Sequence, residues 1–400
     1  MSYIALYRKY RPKVFDEVYG QSAIVQTLRN QIISNRIGHA YLFSGPRGTG
    51  KTSIAKIFAK AINCENPVNG NPCLQCENCK AVADGLNTDI IEIDAASNNG
   101  VDNIRNLIEE SKYMPQHGKY KVYIIDEVHM LSSSAFNALL KTLEEPTPNV
   151  VFILATTEKH KVPPTIYSRC QHHQFKLITN EDIVVALQDI LTKENVEWDS
   201  DDSLLHIAKL AGGGLRDALS LMDQCNTFAS GKITIDLIRD VFGEIQDTTI
   251  VAMAKAIEDK DVKTLLDIIS TEEQNGKALS NICMDLYNYY KEEYFHNPDI
   301  DMVIYQRYMK VLAELSEKMK YNNNRVVFEI EMIKMCTPQM ETDYSALHHR
   351  IKQLEDIVDN LVHNVDNSGI LCDTRLCNED EFVTLHVGIP PKVSTEIYYV

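Results

Sequence analysis

The chain contains 400 residues, of which 44% are hydrophobic and 24% charged, a balance typical of well-packed globular proteins. This length predicts two to four domains rather than one. No run of about 18 apolar residues occurs, and the opening segment MSYIALYRKYRPKVF lacks the apolar stretch of a secretory signal. We therefore expect a cytoplasmic protein with no membrane partner.

The net charge of -16 is distributed unevenly. Up to Leu177 there are 20 Lys+Arg and 16 Asp+Glu, a net of +4, whereas the remainder holds 20 and 40, a net of -20. A mildly basic N-terminal part would let one face approach nucleic-acid phosphates. An unevenly charged solvated surface is an equally good interpretation, so charge alone does not decide whether nucleic acid is bound.

Four apolar runs near the N-terminus predict β-strands, at 40–45, 89–94, 121–126 and 150–156. They lack polar alternation, as expected for strands buried on both faces of a parallel sheet. The segments between them carry the helical patterns KTSIAKIFAKAI, NIRNLIEESKYM and SAFNALLKTLEE. This alternation predicts a doubly wound α/β domain over residues 1–178.

A phosphate-binding loop follows the first predicted strand. The segment GPRGTGKT at 45–52 fits G-x-x-x-x-G-K-[ST] and opens a helix, as this loop requires. Its glycines would let backbone N–H groups converge on phosphates, Lys51 would reach the β- and γ-phosphates, and Thr52 would bind Mg²⁺. The predicted nucleotide-binding residues are Gly45, Pro46, Arg47, Gly48, Thr49, Gly50, Lys51, Thr52 and Ser53.

Four of the ten cysteines are clustered in a turn-rich loop, NCENPVNGNPCLQCENC. They are Cys64, Cys73, Cys76 and Cys79. Two C-x₂-C steps that share Cys76 are a recurrent spacing in tetrahedral Zn²⁺ sites, and four thiolates leave no open position for catalysis. A redox C-x-x-C is the main alternative, which four cysteines and the absence of a thioredoxin-like context disfavour.

An acidic pair ends the third predicted strand, in KVYIIDEVHM. Asp126 and Glu127 would lie at the carboxyl edge of the sheet, where ligands bind in such folds. Asp126 would then hold Mg²⁺, and Glu127 would polarise the attacking water. An acidic pair that merely ends a strand is a weak alternative, because the phosphate loop precedes it at normal spacing.

The remainder of the chain is predicted to be helical. Three helical segments follow Thr179, as in a small helical lid over residues 179–243, and helical spacing continues to Pro338 as a further all-helical domain. Apolar residues then step by 4, 3, 4, 3 and 4 through Leu347, Ile351, Leu354, Val358, Leu361 and Val365. This seam over 341–365 fits either a short coiled coil or an amphipathic helix packed on its own domain; residues 366–400 have no interpretable pattern.

Over residues 1–340 the chain resembles the gamma/tau subunits of the bacterial DNA polymerase III clamp loader. The motifs that carry this resemblance are YRKYRPKVFDEVYGQ, GPRGTGKT, IIDEVHMLS, LEEP, LATTEKHKVPPTIYSRCQ and GGGLRDALSLMDQ, in this order and spacing. The resemblance implies an AAA+ ATPase with a zinc module at about 63–80, a lid that closes over the nucleotide, and a ring-forming collar at 244–340.

Further roles are implied by the same resemblance. Thr156 matches the sensor that reads the γ-phosphate, Arg216 in GLRDAL matches the second sensor, and Arg169 in SRC matches the finger that enters a neighbouring subunit's site. An arginine finger stabilises charge on the γ-phosphoryl group. Each arginine taken alone also fits a surface ion pair.

The implied function is ATP-driven loading of a sliding clamp onto primed DNA, with ATP, Mg²⁺ and Zn²⁺ as cofactors. The implied partners are delta- and delta-prime-type subunits, further copies of this chain, the clamp, primed DNA and the polymerase core; polymerase activity would belong to the assembly. Two alternatives are a Holliday-junction-type AAA+ motor and a nucleotide-binding scaffold that does not hydrolyse ATP. The first requires a winged helix after the lid. Longer family members carry a further tail, so both a short and a long form are compatible with the resemblance.

Overall fold

The computed structural model describes residues 3–229, 231–298, 300–321 and 324–337, together with 347, 351–352, 354–355 and 357–358. It divides into two units, Met1–Glu244 and Ile245–Val400. In the described residues no helix combines the length and apolar character needed to cross a membrane.

A five-stranded parallel sheet forms the core of the first unit. Its strands are β1 (Ala40–Ser44), β2 (Ile90–Asp94), β3 (Lys121–Asp126), β4 (Val150–Thr156) and β5 (Gln171–Gln174), in the spatial order β2-β3-β4-β1-β5. Helices α1 (Leu6–Lys9) and α2 (Ser22–Ile33) precede β1. The connections between successive strands contain α3 (Lys51–Ile62), α4 (Glu77–Ala83), α5 (Val101–Ser111), α6 (Ser133–Glu144) and α7 (Pro164–Tyr167). The predicted α/β class is thus confirmed.

Helices cover both faces of this sheet, because alternate strand residues point to opposite sides. Tyr41 and Phe43 pack with apolar residues of α2 and α3 on one face. Leu42, Tyr123 and Phe152 pack with α5 and α6 on the other. The domain is therefore doubly wound, as predicted.

Two features of the sheet differ from the prediction. β2 is not buried on both faces: it is an edge strand paired only with β3, its isoleucines are half-buried, and Glu92 and Asp94 are exposed. β5 was not predicted, because its sequence QHHQ is polar. It pairs with β1 alone. The two ring nitrogens of His172 form hydrogen bonds with the hydroxyls of Ser44 and Tyr167.

The helical part of the first unit contains α8 (Asn180–Glu194), α9 (Asp201–Leu210), α10 (Leu215–Phe228) and α11 (Ile235–Phe242). A two-stranded parallel sheet of β6 (Glu197–Trp198) and β7 (Lys232–Ile233) accompanies them. The fourth helix and the short sheet were not predicted. Leu6 of α1 packs into the same apolar cluster, so the N-terminal segment joins these helices.

The described part of the second unit consists of α12 (Asp247–Glu258), α13 (Val262–Gln274), α14 (Leu279–His296), α15 (Met302–Tyr321) and α16 (Arg325–Cys336). These helices share one core, in which Tyr290, Tyr308 and Phe328 are fully buried. Since the described residues after Ile245 contain no strand, they offer no winged helix of the kind that the Holliday-junction-type alternative requires.

The predicted heptad seam lies partly outside the described residues. Leu347, Ile351, Leu354 and Val358 are helical and exposed. Leu361, Val365 and the segment 366–400 lie outside the described residues.

Candidate nucleotide site and cysteine cluster

The phosphate loop connects β1 to the N-terminus of α3. Gly45 has φ of 151°, and a Cβ there would lie 2.5 Å from the carbonyl oxygen of Phe175, so only glycine fits. Gly50, with φ of 96°, caps α3 immediately before Lys51. A left-handed residue at each end of the loop directs the chain around the helix N-terminus, where N–H groups and the helix dipole favour phosphate.

Lys51 is nearly buried, with 6% of its surface exposed. Its Nζ donates to the carbonyl oxygens of Gly45 at 2.9 Å and Pro46 at 2.8 Å. Burial lowers the pKa of this ammonium, while Glu127 and Asp126 oppose that shift. The loop thus holds a cation among backbone dipoles, ready to pair with phosphate.

Thr52 and Asp126 form an oxygen pair between the loop and β3. The Thr52 hydroxyl donates to Oδ2 of Asp126 at 2.6 Å. Magnesium prefers hard oxygen ligands and takes one or two from the protein while phosphates supply others. The hydroxyl and the carboxylate therefore fit a Mg²⁺ site beside the phosphate loop.

Glu127 follows β3 in the left-handed conformation, with φ of 46°, which is uncommon for a residue other than glycine. Its Oε2 accepts hydrogen bonds from the backbone N–H of Thr157 at 3.2 Å and from the Thr157 hydroxyl at 3.0 Å. The end of β4 thus anchors the carboxylate that would act on water.

A cavity of about 560 Å³ joins these groups, and that volume suits a nucleotide-sized ligand. Lys51, Thr52, Asp126, Glu127 and Arg216 line it with the rest of the loop from Arg47 to Ser53. The described lining residues do not include Thr156 or Arg169. Thr156 is fully buried at the end of β4, and its Oγ1 lies 3.1 Å from Nδ1 of His129.

The N-terminal wall of this cavity is not indicated by the motifs that predict the nucleotide site. It contains Tyr7, Tyr10, Val18 and Tyr19, and Arg216 places its guanidinium over the Tyr7 ring at 5.1 Å. The segment that forms it, YRKYRPKVFDEVYGQ, contributes to the sequence only a resemblance to the family. Strand and helix periodicity did not indicate that this segment turns back onto α10.

Arg169 lies apart from this cavity and makes a local ion pair. Its guanidinium contacts the carboxylate of Glu144 and donates to the carbonyl oxygen of Thr165 at 2.7 Å. The Arg169 side chain is 31% exposed and that of Glu144 is 49% exposed. An exposed pair of this kind stabilises a fold by about 0–1 kcal/mol, so it does not by itself account for an arginine here.

The four clustered cysteines converge as predicted: all their Sγ atoms lie within 4.8 Å of one another. A tetrahedron with Zn–S bonds of about 2.3 Å has edges of about 3.8 Å, and Cys64 Sγ lies 4.0 Å from Cys76 Sγ. Backbone N–H groups of Cys73 and Cys76 point at neighbouring sulfurs, at 3.2 and 3.3 Å. The N–H of Gln75 is the main group that lowers the pKa of Cys73, to about 6. This donor set fits Zn²⁺.

Two family models match the chain. Residues 20–179 match "DNA polymerase III, delta subunit", and residues 182–231 match "DNA polymerase III clamp loader subunit, ATPase lid domain". The two matches divide the first unit close to where α8 begins.

The chain is also similar to named bacterial proteins. It is 42% identical to DNA polymerase III subunit tau of Bacillus subtilis over 90% of this chain and 69% of that protein. It is 37% identical to DNA polymerase III subunit gamma of Buchnera aphidicola subsp. Acyrthosiphon pisum, over 82% of this chain and 92% of that protein. Against subunit tau of Escherichia coli, 42% identity extends over 69% of this chain but only 43% of the longer relative.

A structural comparison gives a weaker likeness. The Holliday junction branch migration motor RuvB of Thermotoga maritima matches 62% of this chain and 80% of its own, with 18% identity and a TM-score of 0.45.

Proposed function

Since the chain belongs to the gamma/tau family of DNA polymerase III subunits, we propose that it is an ATPase motor of the clamp loader. It would bind and hydrolyse ATP to place a sliding clamp on primed DNA. Its partners would be delta- and delta-prime-type subunits, further copies of itself, the clamp and the polymerase core.

One observation supports this proposal most directly. Lys51, Thr52, Asp126 and Glu127 come from two separate segments of the chain and line a single cavity at the carboxyl edge of the sheet. A cation, a hard-oxygen pair and a carboxylate that can orient water are the groups that phosphoryl transfer to water needs. A scaffold without turnover would have no need of Glu127 in a strained backbone conformation.

In the proposed reaction, Lys51 and the loop N–H groups hold the β- and γ-phosphates. Thr52 and Asp126 hold Mg²⁺, which neutralises charge on these phosphates when bound. Glu127 orients a water whose oxygen bonds to the γ-phosphorus as the bond to the β,γ-bridging oxygen breaks. ADP leaves, and the water proton passes by way of Glu127 to the released phosphate.

Two arginines complete the proposed site. Arg216, in the first turn of α10, lines the cavity and its backbone N–H contacts the Gly48 carbonyl at 3.5 Å, so the lid helices would respond to bound phosphate. Arg169 would act in trans, in the site of a neighbouring subunit. Zn²⁺ on Cys64, Cys73, Cys76 and Cys79 would be structural, because four thiolates fill its tetrahedral shell.

Lys51→Ala and Glu127→Gln test the proposed site. Glu127→Gln is nearly isosteric but no longer anionic, so we expect ATP to bind while turnover falls by about 10²-fold or more. Lys51→Ala should lose ATP binding, because the phosphates lose their cation. Nucleotide affinity and steady-state hydrolysis would be measured in the complex assembled with clamp and primed DNA.

Glu181→Gln is the matched control, because Glu181 is an exposed glutamate at the start of α8, away from the cavity lining. It should retain wild-type binding and turnover. Wild-type turnover in both Lys51→Ala and Glu127→Gln would contradict the proposed site.

A further inference from the structure

His129 lies between three groups that the proposed reaction uses or neighbours. Its side chain is 7% exposed and follows Glu127 by two residues. Nδ1 lies 3.1 Å from Oγ1 of Thr156 and 3.4 Å from Oε2 of Glu127. Nε2 lies 3.2 Å from Oε1 of Glu158. One ring therefore bridges β3, the end of β4 and the segment beyond it.

The two oxygens of Glu127 have different surroundings. Oε2 accepts both hydrogen bonds from Thr157 and faces His129. Among the described residues, no hydrogen bond is made by Oε1. An anchored oxygen fixes the plane of the carboxylate, which leaves the other to orient water. The position of the attacking water thus depends on how Oε2 is held.

Nδ1 of His129 faces two acceptors at once. A carboxylate oxygen can only accept, so a bond to Glu127 needs the proton on Nδ1, and that same N–H is also directed at Oγ1 of Thr156. The Thr156 oxygen is held in place by the backbone N–H of Glu158 at 3.0 Å. If Oγ1 of Thr156 moves away from Nδ1, the Nδ1–H forms a stronger hydrogen bond with Glu127.

We propose that His129 is a positioning residue that couples the Thr156 side chain to the orientation of the Glu127 carboxylate. The Nδ1–H lies between Oγ1 of Thr156 and Oε2 of Glu127, and its hydrogen bond to Glu127 completes the anchoring of Oε2. This inference rests on the proposed ATPase function and adds His129 to it.

Three substitutions distinguish the contribution of Nδ1 from that of Nε2. In His129→Asn the side-chain amide lies near the position of Nδ1 and can still bond Thr156 and Glu127. In His129→Gln it lies near the position of Nε2 and reaches Glu158 instead. His129→Ala removes both. We expect kcat to fall about 10- to 100-fold in His129→Ala and in His129→Gln, with KM and ATP affinity within about threefold of wild type.

His129→Asn should restore kcat to within about fivefold of wild type. Single-turnover hydrolysis in the assembled complex provides a second readout: because His129 acts through Glu127, adding His129→Ala to Glu127→Gln should cause no further loss. A purely structural role would instead lower kcat by the same factor in both backgrounds.

The proposed function is checked separately, by wild-type turnover and its loss in Glu127→Gln. With that check met, the coupling is overturned if His129→Ala keeps kcat within twofold of wild type. It is equally overturned if His129→Gln restores turnover as well as His129→Asn does, or if the loss in His129→Ala persists in full in the Glu127→Gln background.

Discussion

Asp89 is a buried carboxylate that no motif indicated. It directly precedes β2 and is 1% exposed. Oδ1 accepts from the backbone N–H of Gln116, and Oδ2 accepts from those of His117 and Gly118, each at 2.7 Å. Burial alone would raise the pKa of Asp89, but the three amide donors outweigh it and hold the pKa below its usual value. The charge thus ties the start of β2 to the segment before β3.

Asp89→Asn should destabilise the first unit by roughly 2–4 kcal/mol at pH 7, since an amide cannot accept three hydrogen bonds and leaves buried N–H groups unpaired. Because the pKa of Asp89 is lowered in the folded state, its contribution is full above the unfolded pKa of about 3.9 and is lost as pH falls through the folded value. Urea unfolding at pH 7 and below pH 4 would measure this. The difference in free energy of unfolding between wild type and Asp89→Asn should become smaller below pH 4.

Asp84→Asn is the control for this measurement, because Asp84 is an exposed carboxylate at the end of α4. The free energy of unfolding of Asp84→Asn should stay within about 0.5 kcal/mol of wild type. An Asp89→Asn protein as stable as Asp84→Asn would show that the three hydrogen bonds do not stabilise the fold.

At the scale of elements, α3 separates the cysteine cluster from the phosphate loop. Lys51 is its first residue, and Cys64 follows shortly after its last, Ile62. Twelve helical residues at 1.5 Å each span about 18 Å. The insert therefore lies at the opposite end of α3 from the nucleotide site, which agrees with a structural rather than a catalytic metal.

Cys76→Ser should release zinc from freshly purified, reduced protein, which we expect to carry one Zn²⁺ per chain. Elemental analysis would measure the metal, and nucleotide binding should remain within about threefold of wild type because the phosphate loop lies one helix away. Cys170→Ser, outside the cluster, should keep its full metal content. Wild-type protein without zinc, or Cys76→Ser with undiminished zinc, would refute the assignment.

At the scale of the whole molecule, Arg169 is the residue through which we propose that one chain completes the site of another. It follows α7, beyond β4, and does not line its own chain's nucleotide cavity among the described residues. Breaking its exposed ion pair with Glu144 costs only about 0–1 kcal/mol. The guanidinium is therefore available to a neighbouring subunit at little energetic cost.

Arg169→Ala protein should bind ATP nearly normally, yet lose about 10³-fold or more of its turnover in the assembled ring. Adding Lys51→Ala subunits, which keep Arg169 but lack a working loop, should restore part of the turnover, because intact sites then face intact fingers. ATP hydrolysis in rings verified to contain both variants would measure this. Arg36→Ala, at an exposed arginine before β1, should behave as wild type.

Full activity in Arg169→Ala rings would contradict a role in trans. So would the absence of rescue in mixed rings, since the two defects would then lie in the same site.

The sequence by itself determined the α/β class, the phosphate loop and the cysteine cluster, because each depends on local spacing. Apolar runs predicted β1, β3 and β4 correctly, and the C-x₂-C spacing predicted that the four sulfurs lie close together. A loop between a strand and a helix needs few long-range contacts to take its shape.

Only the tertiary structure decided the polar edge strand β5, the N-terminal wall of the cavity and the surroundings of Glu127. QHHQ forms a strand because β1 offers it an unpaired edge, and Tyr7 reaches Arg216 because α1 packs on α10. His129 meets Thr156 across 27 residues of chain. Such contacts depend on hydrogen bonds and packing between distant segments, which the periodicity of one segment does not encode.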